Sequence, residues 1–463
     1  MGLLILKIFN YLVLGYFFLI NSTYLILNMV AFFSIKRYIR SVSFKEHLYL
    51  FKYGFYKPIS IISPAFNEEK SIEESVRALL TLRYPELEII VVNDGSTDNT
   101  LKVLMEKFKL VPIDRTYASK IPTEKIKQIY TSLIYPQLIV VDKENGGKAD
   151  ALNAGVNVAV YPLVAVIDAD TLLDPDALLR ASYPFIEDEK TVAVGGIVRV
   201  VNDCKVIGGR VREVIAPKNL LALIQVVEYL RAFLFGREGF DSLNGLLIIS
   251  GAFGLFSRRA VIEVGGYLRD TVGEDMELVL RMHRYYKSKK IPYRITFVPD
   301  PVAWTEVPED LKSLGRQRRR WQKGLMDSLF KNLEMLLNPR FGVVGIFSFP
   351  FFFFLEMLGP IIELGGYGVF AVSLYFGAVN KTFAVLFLLL AFIYGILVSI
   401  FSLILEELSF SRYKRMRDIF KFLLAAIIEN FGYRQLTSIW RFLGIIDFLR
   451  GDKSWGKMRR KGF

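Results

Sequence analysis

The 463-residue chain carries 52% hydrophobic residues, a net charge of +13 and a mean hydropathy of +0.35, values that argue against a purely soluble protein. Its single cysteine, Cys204, excludes an intrachain disulfide framework and a cysteine-based zinc site. The two histidines, His47 and His283, exclude a histidine-rich metal site, so any metal must be held by carboxylates.

The first predicted element is an apolar helix from Tyr11 to Ser34, which has no charged residue and meets the roughly 20 residues that a bilayer core requires. It is too long for a signal-peptide core and lacks an A-x-A-like end, so it reads as a retained anchor. Lys36, Arg37 and Arg40 follow it and place that end in the cytoplasm.

From Ser41 to about Arg340 the composition is that of a globular domain in which strand-like and helix-like stretches alternate. "ISIISPAF" precedes a helix that Asn67 is expected to cap, and "LEIIVVND" one capped by Ser96 or Thr97. "LIVVD" precedes a helix with Leu152 and Val156, and "LVAVIDAD" precedes a capping Asp174 followed by Pro175. Four βα units in a row predict an α/β fold with a mainly parallel sheet and helices on both faces. The basic stretch from Leu110 to Tyr135 receives no assignment.

Such sheets bind ligands at the carboxyl ends of their strands. Those ends carry Asn67 and Glu68, then Asn93 and Asp94, then Asp142 with "NGGK", then Asp168 and Asp170. Polar residues start many loops, but that general tendency explains poorly an acid at all four ends of one sheet edge. Asp168 and Asp170 follow an apolar strand at a spacing of two and suit Mg²⁺ or Mn²⁺, which prefer oxygen ligands and share them with phosphates. A calcium loop starting at Asp168 fails, because its third ligand would be Leu172 and its obligatory glycine Leu173. "ENGGKAD" is not a P-loop, but Lys148 within it suits a phosphate, with Asp150 beside it. Asp98 reads equally as a helix cap. "VGEDMEL" puts Glu274 and Asp275 at a helix start, where they serve either the helix dipole or general-base chemistry.

"GRQRRRWQKGL" follows, from Gly315 to Leu325. On a helix Gln317, Arg320, Trp321 and Gly324 share a face. Arg316, Arg318, Arg319 and Lys323 fall partly elsewhere and are expected to orient the chain on a membrane and meet lipid headgroups. No nucleic-acid-binding module accompanies them, so nucleic acid is not expected. Beyond Arg340 the chain turns apolar. Spans are expected near 361–379 and 382–405, with Phe341–Gly359 and Ile419–Ile446 lying along the interface. The basic loop Arg412–Arg417 and the tail with Arg450, Lys453, Lys457, Arg459, Arg460 and Lys461 argue for a cytoplasmic C-terminus. The expected domains are a membrane anchor over 1–40, a cytoplasmic domain over 41–340, and membrane and interfacial helices over 341–463.

Taken in order, "SPAFNEE", Asp94, "GGKADALNAG", Asp168-x-Asp170, "SGAFG", "GED" and Q-x-x-R-W resemble a membrane-embedded processive glycosyltransferase of family 2, the group of cellulose, hyaluronan and poly-N-acetylglucosamine synthases. The resemblance covers roughly Ile59 to Leu325. It implies a GT-A-like fold, a UDP-sugar donor, and a polysaccharide or lipid acceptor at the plasma-membrane bilayer, with the catalytic domain cytoplasmic. It implies nucleotide-sugar contacts from Ala65, Asn67, Glu68, Asp94, Lys148, Asp150 and Asp168, and a metal on Asp168 and Asp170. It gives acceptor contacts to Ser250, Gly251, Gln317 and Trp321, the base role to Asp275, and the leaving diphosphate to Arg320. It also implies inversion at the anomeric carbon. Q-x-x-R-W occurs in ceramide glucosyltransferases as well, so one transfer to a lipid is the alternative, and a catalytically silent scaffold of an export complex is a second. The chain is expected to have one N-terminal span and no room for a cyclic-dinucleotide-sensing domain.

Overall fold

The computed structural model describes residues 2–41, 53–377 and 381–451. His47 and the basic tail beyond Gly451 lie outside the described residues. Contacts divide the described residues into two units, one within 2–37, 216–245 and 308–451, the other within 38–215 and 246–307. The expected boundary near 340 therefore differs from the contact boundary, which groups the Q-x-x-R-W segment with the apolar C-terminal helices.

The second unit is built on ten strands of one sheet: β1 (Ile59–Ala65), β2 (Leu87–Asp94), β3 (Leu110–Ile113), β4 (Ile126–Ser132), β5 (Leu138–Lys143), β6 (Leu163–Ile167), β7 (Thr171–Leu173), β8 (Thr191–Val200), β11 (Phe253–Ser257) and β12 (Arg294–Thr305). A separate hairpin pairs β9 (Lys205–Ile207) with β10 (Arg210–Glu213). The sheet order is β3-β4-β5-β2-β1-β6-β11-β8-β12-β7. Its centre, β5-β2-β1-β6, is parallel. Those strands are continuous apolar runs, as strands covered on both faces must be, and β6 is buried throughout. The four expected βα units are thus present.

The unassigned stretch after Phe108 supplies β3 and β4, an antiparallel pair that extends the sheet beside β5. Its loop between residues 114 and 125 straps the helix Lys148–Val158: Asn157 Oδ1 accepts from the Lys120 and Ile121 backbones, both at 3.0 Å.

Three capping expectations are corrected. Asn67 does not cap a helix; the helix begins at Ile72, and Asn67 sits at φ +57° with its Oδ1 accepting the Thr97 N–H at 2.8 Å. Neither Ser96 nor Thr97 caps the next helix, whose first N–H, on Thr100, is taken by Asp98 Oδ1 at 2.9 Å. Asp174 precedes the helix Ala177–Glu187 and accepts from the indole of buried Trp304 at 2.8 Å. Asn67 is drawn to the loop after β2 and Asp174 to Trp304 of β12, while the nearer carboxylate of Asp98 takes the N–H at the start of the helix after β2.

His283 is buried and pinned on both nitrogens, with Leu246 O 2.8 Å from Nε2 and the Tyr293 hydroxyl 2.6 Å from Nδ1. A carbonyl only accepts, so Nε2 carries a proton. Burial pushes its pKa down to about 4. The folded value lies below the unfolded one, so the full contribution is present above about pH 6.5 and is lost as pH falls through the folded value of about 4. The loss is expected to be on the order of 3 kcal/mol. Thermal denaturation between pH 7 and 4 checks this: the wild type is expected to lose more stability over that window than His283→Gln, and equal slopes would refute it.

Among the described residues, two helices are long and apolar enough to cross a bilayer, Ile8–Arg40 and Lys381–Ser409. A third pair, Val344–Met357 and Gly359–Tyr375, is bent by 41°. Pro360 in the first turn of the second member has no N–H to continue the ladder, which accounts for the break. The stretch expected along the interface, 341–359, thus continues across a bend into the expected span. Residues 419–446 fall in two helices, Met416–Ile428 and Arg434–Leu449, separated by non-helical Phe431 and Gly432.

Candidate active site

The carboxyl ends of β1, β2, β5 and β6 bring the predicted residues of the second unit to one edge. Ala65 ends β1 and is buried. The loop after it is stapled to the loop after β2, since the Glu68 N–H donates to Thr100 Oγ1 at 2.8 Å and the Glu69 N–H to Asp98 Oδ2 at 3.1 Å. Asn67 and Glu68 therefore have structural work at the loop backbone.

Asp94 ends β2 and is almost completely buried. Lys143 Nζ lies 2.7 Å from its Oδ1, and the Gly146 and Gly147 N–H groups donate to the two oxygens at 3.0 and 2.8 Å. The carboxylate thereby fixes the glycine turn that opens the Lys148–Val158 helix. That turn needs its glycines. Gly147 has φ +87°, and a Cβ on Gly146 would stand 2.4 Å from Asp150 Oδ2.

Asp150 is fully buried and does not open into the cleft. Its Oδ2 is 2.5 Å from Lys143 Nζ and its Oδ1 2.8 Å from Arg269 Nη1. Its neighbour Lys148 points elsewhere, with Nζ 2.6 Å from Asp168 Oδ1 and 3.2 Å from Glu274 Oε1. Burial pulls the Lys148 ammonium down, but the Asp168 and Glu274 carboxylates outweigh it and hold its pKa above the ordinary lysine value. Burial pushes Glu274 up, against the pull of Lys148 and with the help of Asp275. Asp168 and Asp170 lie in the turn after β6 rather than on the strand; both are partly exposed, with Ala169 buried between them.

Asp275 stands in the first turn of the helix Glu274–Ser288. Its two oxygens accept backbone N–H groups, Gly251 to Oδ2 at 3.0 Å and Met276 to Oδ1 at 2.8 Å. Each oxygen keeps a lone pair for a substrate proton. Lys148, Ser250, Gly251, Tyr267, Glu274 and Asp275 line one cleft. The cleft is tight at Gly251, where a Cβ would lie 3.1 Å from Lys148 Nζ.

Among the described residues no group of three or more His, Cys, Asp or Glu side chains is arranged to hold an ion alone. Two neighbouring carboxylates without nitrogen or sulfur donors fit Mg²⁺ or Mn²⁺ only if a ligand supplies further oxygens, as a diphosphate does.

Two family models match: "Glycosyl transferase family 2" over residues 60–265 and "Glycosyl transferase family group 2" over residues 163–404. The chain belongs to glycosyltransferase family 2. It is 32% identical over 321 residues to the poly-beta-1,6-N-acetyl-D-glucosamine synthase of Staphylococcus aureus strain COL, an alignment covering 69% of this chain and 64% of that protein. The synthase of the same name from Staphylococcus epidermidis is 29% identical over 335 residues, covering 71% and 68%. The chain thus spans under two thirds of the length of the Staphylococcus aureus relative. Its GT-A-like fold is shared with the mannosyltransferase PcManGT of Pyrobaculum calidifontis, solved with GDP-Man and Mn²⁺, at a TM-score of 0.52 and 17% identity, covering 91% of this chain and 99% of that one.

Gln317, Arg320 and Trp321 of this glycosyltransferase belong to the first unit, on the helix Leu311–Lys331. Gln317 is buried with Oε1 unpartnered, whereas Trp321 is 43% exposed. The headgroup role expected for Arg318 is corrected. Arg318 is 2% exposed, with Nη2 2.6 Å from Glu228 Oε2 and 3.3 Å from the Tyr433 hydroxyl, and its guanidinium lies 4.3 Å from the Trp321 ring centroid. Sequence reasoning missed Lys143 and Arg269. A fully buried lysine beside an acidic strand end carries no local signal, because its partners arrive from Asp94 and Asp150.

Proposed function

We propose that the chain transfers a sugar, with inversion, from a UDP-sugar to a growing polysaccharide at the membrane. The observation that carries this is Asp275, held by two backbone N–H groups in a cleft that Lys148 also lines, with the Lys148 ammonium paired to Asp168. A basic carboxylate thereby shares its cleft with a charge arrangement suited to a diphosphate. The staphylococcal relatives are poly-N-acetylglucosamine synthases, which supports UDP-N-acetylglucosamine as the donor.

In this reading Asp275 takes the proton of an acceptor hydroxyl. The freed oxygen attacks the anomeric carbon in line, the new C–O bond forms, the bond from that carbon to the diphosphate breaks, and UDP leaves with the electron pair. Asp168 and Asp170 would hold Mg²⁺ or Mn²⁺, which when bound neutralises charge on the diphosphate. Lys148 adds fixed positive charge for the leaving group, and the family resemblance gives Arg320 the leaving diphosphate. The family resemblance gives acceptor contacts to Gln317 and Trp321 and, separately, to Ser250 and Gly251. Lys143, Asp94 and Asp150 shape the glycine turn that presents Lys148.

Ile8–Arg40 and Lys381–Ser409 would span the plasma membrane, with the sheet unit on the cytoplasmic side. Charged residues among the apolar C-terminal helices are paired with polar groups of the same unit: Glu429 with Arg231 at 2.5 Å, Glu356 with Arg441 at 3.2 Å, and Glu363 with the Ser438 hydroxyl at 2.5 Å. Charges at membrane depth face a protein interior or a wet path; these meet partners within the protein, so the polymer is favoured over one sugar on a lipid by the staphylococcal relatives. Purified protein in vesicles with radiolabelled UDP-N-acetylglucosamine is expected to yield long, lipase-resistant, glycosidase-sensitive chains inside the vesicles. Label confined to an organic-extractable lipid carrying one sugar would overturn the polymerase reading in favour of the lipid transferase.

A further inference from the structure

On a helix of 3.6 residues per turn, Gly315, Arg319 and Gln322 project within about 60° of one another, and Gln317, Arg320, Trp321 and Gly324 project from the opposite side. The first set is in contact with the helix Arg434–Leu449. A Cβ on Gly315 would stand 2.9 Å from Trp440 Nε1, and one on Gly444 would stand 2.8 Å from the Arg319 carbonyl oxygen. At Gly444 the two backbones therefore approach as closely as glycine allows, and at Gly315 the Trp440 indole fills the space a side chain would take. Arg319 forks onto Asp447, with Nε to Oδ2 and Nη2 to Oδ1 both at 2.7 Å. Gln322 is 1% exposed; its Oε1 accepts from Arg441 Nε at 2.9 Å and its Nε2 donates to Met357 O at 2.9 Å. Arg441 in turn reaches Glu356 Oε2 at 3.2 Å, and Glu356 also accepts from Tyr24 of the N-terminal helix. The expected headgroup contact of Arg319 is thus replaced by a bidentate pair.

We infer that Asp447 and Arg441 are positioning residues for the transfer reaction, and that the helix Arg434–Leu449 is a splint fixing the rotation and height of the Q-x-x-R-W face. This rests on the reading of Arg320 as a group that meets the leaving diphosphate. Two forked or buried polar pairs and two glycine contacts on the rear of one helix leave its front no freedom to roll. A roll of a few degrees displaces a guanidinium tip by about an ångström, and misplacement on that scale costs up to about 10²-fold in rate.

The test uses the full-length protein in detergent or nanodiscs with UDP-N-acetylglucosamine, and reads kcat, KM and UDP affinity for Arg319→Asp, Asp447→Arg, the combined exchange, Arg441→Gln and Arg441→Lys. Each single charge change at 319 or 447 and Arg441→Gln are expected to lower kcat by about 10-fold or more while UDP affinity stays within about twofold. The combined exchange is expected to recover to within about threefold of wild type, because neighbours in one pair are non-additive. Arg441→Lys is expected to recover in part. A merely structural role would reduce UDP affinity and kcat together through loss of folded protein, with no recovery in the exchange. That result overturns the inference, as do single variants with wild-type kcat. Arg320→Ala run alongside separates the two failures. If it retains full turnover, the reading of Arg320 is wrong; if it is inactive while the 319, 441 and 447 variants behave as wild type, the splint is wrong.

Discussion

Asp275→Asn is expected to keep donor binding and to lose turnover by on the order of 10²–10⁴-fold. The substitution is nearly isosteric but removes the basic oxygen that would accept the acceptor proton. Because both Asp275 oxygens accept backbone N–H groups, the amide NH₂ must face one of those donors, from Gly251 or Met276. The variant therefore also weakens the hold on its own side chain, by about 1–3 kcal/mol for the donor left unpaired. Donor affinity, measured by calorimetry with UDP-N-acetylglucosamine, separates the two effects, since the donor side of the site is built from other residues. Binding within a few fold of wild type with turnover nearly gone assigns the base. Normal turnover would make Asp275 a helix-dipole residue and put the base elsewhere.

Removing divalent metal is expected to abolish transfer, and adding Mg²⁺ or Mn²⁺ to restore it. Asp168 and Asp170 are partly exposed carboxylates and, among the described residues, no third His, Cys, Asp or Glu is grouped with them to hold an ion, so an ion held there depends on oxygens brought by the donor. Mn²⁺ binding followed by electron paramagnetic resonance is accordingly expected to tighten when UDP is present. Asp170→Asn is expected to weaken that binding and to lower turnover by about 10²-fold or more. Asp168→Asn has a second consequence, because Asp168 is the nearer of the two carboxylates that hold Lys148. It is expected to lower UDP affinity as well. Full activity in EDTA, with no Mn²⁺ signal from the wild type, would remove the metal from the mechanism.

Patterns that repeat along the chain are legible without coordinates. The apolar runs of β1, β2, β5 and β6 can be covered only on both faces, so they dictate parallel central strands, and ligand chemistry then gathers at their carboxyl ends. The uncharged stretch of the N-terminal helix and the apolar run from Lys381 likewise determine which segments suit a bilayer. Asp168, Asp170 and Asp275 could be singled out because each sits at a predictable strand or helix end.

What the sequence could not decide is which partner each charge meets. Lys143 lies one residue past an acid in a strand of ordinary appearance, yet it is fully buried between Asp94 and Asp150. Asp150 stands two residues from Lys148 at the same helix start, yet it turns inward to Lys143 and Arg269 while Lys148 turns to Asp168 and Glu274. In the run of basic residues around Trp321, Arg318 meets Glu228 ninety positions away and Arg319 meets Asp447 at a separation of 128. Local propensity acts over a few residues, and hydropathy describes a side chain's cost in each solvent but not its neighbour. An ionic partner is set by which elements the fold lays side by side, so only the tertiary structure could separate a solvated charge from a buried pair.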